Sequence, residues 1–193
     1  MIFTETLPHN KETHAEMRRV CSTWEQVAKG KMAEHEATCE MVFKRYLAAK
    51  NVCEFSFYRF RKSNQKSFQY YHVDIAYDSG LNLLGLSLSK IIEIQSVSDA
   101  KLYRFLFLHY LTADPNQFER IDRIKNVGNV MLKRLQKRCV DQGLDGIFSE
   151  PVISAMPFFH ARKFVDTEFK RGHRKAVILL RADFTKELGQ AVL

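Results

Sequence analysis

The segment Leu111-Thr112-Ala113-Asp114-Pro115, followed further on by Lys125-Asn126-Val127-Gly128-Asn129-Val130-Met131, decides how this chain is read. Upstream of it, Tyr103 to Leu111 is apolar on both faces, as a central strand covered by helices must be. Downstream, Gly128 to Gln142 has helical spacing, with Val127, Met131, Leu135 and Cys139 inward and Lys133, Arg134, Lys137 and Arg138 outward, and Gly143 is placed to end it. A strand, a glycine turn and a basic amphipathic helix, in that order, set unpaired backbone N–H groups beside a split in a sheet. Such groups attract an anion, so the ligand expected here carries phosphate.

Working outward, residues 2–6 read as a first strand and Pro8 to Lys29 as a helix stopped by Gly30, with Val20, Trp24 and Val27 on one face. A second helix is expected over 31–50, placing Met32, Cys39, Val42, Phe43, Tyr46 and Leu47 inward. From there the periods shorten. Phe55 and Phe57 suggest a strand, Ser63-Asn64-Gln65-Lys66 a turn, and Phe68 to Tyr77 its partner strand. Leu83 to Val97 fits a strand better than a helix because of its β-branched run Ile91-Ile92-Glu93-Ile94. Toward the C-terminus follow a short strand from Gly146 to Glu150, a helix from Ile153 to Arg162, and a closing pair, Phe164 to Lys170 with Lys175 to Ala182.

With 193 residues the chain is long enough for one domain with its own core. Its formal charge of +8 points to an acidic partner. Between Lys101 and Val140 nine basic residues face three acidic ones, so much of the excess surrounds the glycine turn. A solvated basic helix face accounts for the same pattern without a ligand. Cys21, Cys39, Cys53 and Cys139 form no C-x-x-C pair and no zinc spacing, and no segment is apolar enough to span a membrane. We therefore expect a reduced, cytoplasmic protein with no metal and no membrane contact. His72 and Asp74 alternate on one strand without a third ligand, and His9, His14, His35 and His173 read as solvated.

The second half resembles the GNAT superfamily of acyl-CoA-dependent N-acyltransferases. The family pattern is a strand ending in an apolar-x-Pro segment, (Arg/Gln)-x-x-Gly-x-(Gly/Ala) opening a helix, then a strand and a helix with Ala-x-x-x-Tyr-x-x-x-Gly-Phe. Here these read Leu111 to Pro115, Lys125 to Leu132, and Ala155-Met156-Pro157-Phe158-Phe159-His160-Ala161-Arg162-Lys163-Phe164. Lys125 replaces Arg or Gln, Val130 the second small residue, Phe159 a tyrosine that often serves as general acid, and Lys163 the glycine, and 116–124 reads as an insertion. The resemblance implies one α/β (α+β) GNAT-like domain over 1–193, a mixed, mostly antiparallel twisted sheet flanked by helices. Residues 1–99 would form the acceptor side and 100–193 the acyl-CoA-binding half.

It further implies that acetyl-CoA or another acyl-CoA is held by the backbone of Leu111 and Ala113, by Lys125, Asn126, Val127, Gly128, Asn129 and Val130, and beside Phe159. A carrier-protein thioester is an alternative donor, and the asparagines have a second reading as ordinary turn and cap residues. An acyl group, acetyl first, would pass by direct attack to a primary amine on a small molecule, a protein lysine or an aminoacyl-tRNA.

Three side chains are candidates for the proton transfers this needs. His109, on the central strand on the same face as Phe105, Phe107 and Leu111, is the first choice for general base; its structural alternative is a core histidine. Glu150, at a strand end, would orient the amine or act through a water; its alternative is a solvated carboxylate. His160 would protonate the thiolate, although a helix turns it away from Phe159. The rival function is an inactive GNAT-shaped module that binds nucleic acid or an acidic protein. Aromatic residues from Phe55 to Tyr71, interleaved with Arg59, Arg61, Lys62 and Lys66, would supply stacking for such a role. Oligomeric state is left open, a homodimer among the options.

Overall fold

The computed structural model describes residues 1–36, 40–61, 71–95, 100–119, 125–171 and 174–184. In chain order these form β1 (Ile2–Leu7), α1 (Lys11–His35), α2 (Glu40–Arg61), β2 (Tyr71–Asp78), β3 (Leu83–Gln95), β4 (Leu102–Ala113), α3 (Val127–Asp141), β5 (Gly146–Ser149), α4 (Met156–His160), β6 (Val165–Arg171) and β7 (Arg174–Leu180). Seven strands make one mixed sheet in the order β1-β2-β3-β4-β5-β7-β6. β4 and β5 run parallel, whereas β1 with β2, β5 with β7 and β6 with β7 are antiparallel. This is the mixed, helix-flanked α+β architecture expected from the sequence.

The chain packs as two compact units. The first comprises Met1–Leu88 and Tyr110–Met131. Helix α1 starts at Asn10, whose side chain accepts the Thr13 N–H at 2.7 Å. Its buried stripe Met17, Val20, Cys21 and Trp24 has helical spacing and packs with Cys53 of α2 on Tyr71, Val73, Ile75, Leu86 and Leu88 of the sheet. A second cluster joins Ala28 of α1 to Tyr46 and Ala49 of α2, with Phe118 at its margin.

Three expectations fail in this unit. Helix α1 does not stop at Gly30 but runs on to His35. Gly30 is exposed, and a Cβ there would meet nothing within 4 Å. It is a surface residue inside the helix, held by the flanking pairs Glu25–Lys29 and Lys31–Glu34 against a cost of roughly 1 kcal/mol relative to alanine. Second, the residues read as the first strand of a hairpin belong to α2. Tyr46, Ala49, Cys53 and Ser56 are buried at helical spacing, and that packing face outweighs the β-propensity of Phe55 and Phe57 beside it in the sequence. Of the aromatic residues read as a stacking surface, Phe55 sits on a helix, its ring parallel to Tyr110 with centroids 6.0 Å apart, and Tyr71 is core; the side chains at 57–61 and residues 62–70 lie outside what the structure describes. The turn expected at 63–66 and Cys39 lie outside the described residues. Third, His14 is buried rather than solvated.

The second unit comprises Ser89–His109 and Leu132–Leu193. Phe105, Phe107, Phe148 and Ala176 form its aromatic cluster, flanked by Ile92, Ile94, Tyr103 and Ile178. Helix α3 ends in a Schellman motif: the Leu144 N–H reaches the Cys139 carbonyl at 2.8 Å, the Gly143 N–H reaches Val140 at 3.2 Å, and Gly143 takes φ +63°. Asp145 then stitches the unit together. Its Oδ2 accepts the Arg104 N–H at 2.7 Å, its own N–H donates to the Arg104 carbonyl and its carbonyl accepts from Arg181, each at 2.8 Å. Arg138 departs from the expected solvated face. It is only 9% exposed, with Nη1 3.5 Å from the Ser89 hydroxyl.

Candidate functional site

In the first unit the end of β4 and the start of α3 meet over a small apolar cluster, in which Leu84, Ala76, Val127 and Met131 are buried and Leu111 and Ala113 pack against them. Asp114 turns the chain off the strand. Its N–H donates to the Leu84 carbonyl at 2.8 Å, and its Oδ1 accepts both the backbone N–H (2.9 Å) and the side-chain amide (2.8 Å) of Asn116. With Pro115 next, this Asx turn starts a 3₁₀ turn at Pro115–Gln117. The rest of the expected insertion, 120–124, is outside the described residues.

Helix α3 is entered through Asn126, which takes φ +68°, a left-handed conformation that asparagine tolerates better than most residues. Its carbonyl accepts the first intrahelical bond, from the Val130 N–H at 3.0 Å, and its Oδ1 faces the Asn129 Nδ2 at 3.3 Å. The Val127 and Gly128 amides precede that bond and have no acceptor among the described residues. No acidic residue occupies the first turn of the helix, and Lys125 is exposed beside it. Two unpaired amides, the positive end of a 15-residue helix and a lysine suit a diphosphate, each such interaction contributing about 0.3–1 kcal/mol. Asn126 thus acts as the turn residue, with Asn129 in the first turn of α3 facing it, and the pair frames the amides. Leu111, Ala113, Val127, Gly128 and Val130 are brought together with them, Gly128, Asn129 and Val130 half-buried.

The second unit holds the remaining candidates. The parallel ladder runs from Phe105↔Gly146 to Leu108↔Ser149 and stops, while β4 continues to Ala113. His109 is half-buried, its ring tilted against Phe107 with centroids 4.0 Å apart. Glu150 follows β5 directly; its Oε1 is buried and has no hydrogen-bond partner among the described residues. His160 ends α4 at the surface, with Nε2 2.9 Å from Asp166 Oδ1. Phe159 is 5% exposed and packs edge-on against Phe158 and Phe164, so the position where the family pattern has tyrosine holds a core ring. Sequence reasoning missed Ser149, whose buried hydroxyl donates to the Leu108 carbonyl at 3.0 Å. Nothing in a lone strand serine announces that contact.

No described helix is long and apolar enough to cross a membrane. No family model and no curated protein matches the sequence. Solved structures do match over nearly the whole chain. A mutant AtaT toxin bound to the C-terminus of the antitoxin AtaR and acetyl-CoA aligns with TM-score 0.59 at 11% identity, covering 97% of this chain and 98% of the other. AtaT complexed with acetyl-methionyl-tRNAfMet aligns with TM-score 0.56 at 11% identity over 100% of both chains. A tetramutant of the BH1408 protein from Bacillus halodurans aligns with TM-score 0.55 at 11% identity, covering 89% of this chain and 97% of the other. The fold is GNAT-like.

Proposed function

We propose that the protein is an acyl-CoA-dependent N-acyltransferase, a divergent member of the GNAT superfamily, that moves an acyl group, acetyl first, to a primary amine. The observation carrying this reading is the pair of amides, Val127 and Gly128, that have no acceptor among the described residues, at the start of α3 beside the end of β4. Acetyl-CoA in one structural neighbour and an acetylated aminoacyl-tRNA in another support it. In this reading Lys125 to Val130 hold the diphosphate, and the backbone of Leu111 and Ala113 guides the pantetheine arm. Phe159 does not serve as the acid that the family pattern places there, since a phenyl ring has no proton to give.

The chemistry balances simply. The acceptor ammonium loses a proton to a base, the free amine attacks the thioester carbonyl, a C–N bond forms, the attacking nitrogen gives up its second proton to water, and the C–S bond breaks. The departing thiolate takes a proton, which His160 or water supplies. His109 is assigned as the base. Acceptor classes within the proposal are a small-molecule amine, a protein lysine and an aminoacyl-tRNA, in a cytoplasmic setting.

The test is direct. Acetyl-CoA should raise the unfolding temperature, increasingly with the logarithm of its concentration above Kd, and adenosine or inorganic phosphate alone should not. His109→Gln should lower turnover and flatten its pH profile while leaving the acetyl-CoA Kd in place. Nucleic-acid binding that weakens steeply with salt, with no response to acetyl-CoA, would instead identify a non-catalytic module.

A further inference from the structure

The stretch 116–124 reads in the sequence as an insertion ahead of the glycine turn, and its described part is fastened to the helix pair. Phe118 packs on Tyr46 of α2 with ring centroids 5.2 Å apart, at the margin of the cluster that joins Ala28, Tyr46 and Ala49. One residue on, Glu119 sets Oε1 against Nε2 of His35, in the last turn of α1, and Oε2 3.7 Å from Nζ of Lys31, one turn earlier. The His35 ring is itself held, lying parallel to the buried Tyr46 ring with centroids 6.1 Å apart. Burial first, then the Glu119 carboxylate, pushes the Tyr46 hydroxyl up to about 12, which keeps it a donor to that carboxylate.

These contacts bear on the start of α3 through chain length. The anchor before them is Asp114, whose N–H donates to Leu84 on the sheet, and the fixed point after them is Asn126, which opens the helix. Glu119 divides the chain between the two roughly in half. Closure cost grows with the logarithm of the length between anchors, so an added anchor near the middle favours the closed arrangement about two- to threefold. A partly exposed ion pair contributes up to about fivefold, enough to supply this.

We infer that Lys31, His35 and Glu119 form a clasp that positions the start of α3 for its diphosphate, which makes them positioning residues for donor binding that act from α1 and the insertion. The inference deepens the acyl-CoA reading and rests on it for the identity of the ligand; the hold on α3 is measurable without one.

The experiment compares the wild type with Glu119→Gln, His35→Gln and the double variant, by amide hydrogen exchange and by titration with acetyl-CoA. The reporter is the Val130 amide, which bonds the Asn126 carbonyl at 3.0 Å. Each single variant should speed exchange at Val130 about two- to threefold and raise the acetyl-CoA Kd by the same factor, with the Val73 and Leu86 amides of the sheet unmoved. The double variant should do no worse than either single one, because the same contact is lost only once. Unaltered Val130 exchange, additive losses, or acceleration that reaches Val73 and Leu86 overturn the inference. So does an unchanged Kd in the variants of a protein that binds acetyl-CoA. If the wild type binds no acetyl-CoA, the acyl-CoA reading fails instead, and exchange at Val130 alone decides the clasp.

Discussion

Gly85 of β3 lies directly beneath Val127 of α3: a Cβ at Gly85 would stand 2.7 Å from the Val127 Cγ1, 2.7 Å from the Met131 Sδ and 3.2 Å from the Thr112 carbonyl. The start of the helix is therefore seated by the absence of a side chain. Gly85→Ala should push α3 off the sheet at the end that carries the unpaired amides. We expect a loss of about 1–3 kcal/mol in denaturant unfolding, together with weaker acetyl-CoA binding, and calorimetry on the variant checks both.

Gly146 plays the corresponding part for β5. A Cβ there would overlap the Leu179 carbonyl oxygen, a backbone atom that cannot swing away. Gly146→Ala should cost at least as much as Gly85→Ala, about 3 kcal/mol, and separate β5 from β7. The measurement is the urea midpoint, with hydrogen exchange of the Ile147 and Leu179 amides reporting the local opening.

Lys125 contributes charge to the helix start without packing. Lys125→Glu should raise stability slightly, by about 0.3–1 kcal/mol, yet raise the acetyl-CoA Kd about two- to fivefold at low ionic strength, effects that added salt shrinks. A Kd that is unmoved at low salt would remove Lys125 from the diphosphate site.

His14, on α1, is held below the ordinary histidine pKa by burial first, then by the charges of His9 and Arg18. A histidine that resists protonation in the folded state takes up its proton on unfolding, so its contribution to stability is complete above about pH 6.5 and is lost as pH falls through the interval down to the folded value. The unfolding midpoint should decline across that window in the wild type and decline less in His14→Gln. Thermal melts from pH 8 to pH 5 test the difference.

Cys21 and Cys53 have no exposed surface, and the Cys21 thiol is hydrogen-bonded to Cys53, which with burial holds it far above the usual thiol pKa. Burial likewise pushes Cys139 up to about 12. At pH 8 the native protein should resist iodoacetamide at these three positions and react on addition of urea. Peptide mass mapping before and after unfolding gives the answer.

Much of the architecture is legible along the chain because β4, α3 and β5 carry strong local signals. Tyr103 to Leu111 is apolar throughout, Val127, Met131, Leu135 and Cys139 recur at helical spacing, and Gly143 stands where a left-handed residue is needed. The hairpin misreading at Phe55 and Phe57 has the opposite origin. Phenylalanine prefers strands, and only the burial of Tyr46, Ala49 and Cys53 against α1 and the sheet makes a helix the better choice. Gly30 misled for a similar reason, since a helix stabilised by packing on Ala28 absorbs one glycine without ending.

The order of residues alone determined the chain's elements from β3 to β7 and the excess of positive charge around the glycine turn, because each depends on neighbours within a few positions. Tertiary structure alone decided that α2 extends to Arg61, that Phe159 is a core ring, that Arg138 turns inward and that Ser149 closes the ladder beside Glu150. Those outcomes depend on atoms distant in sequence, whose packing and hydrogen bonds outweigh local preferences worth only tenths of a kcal/mol per residue.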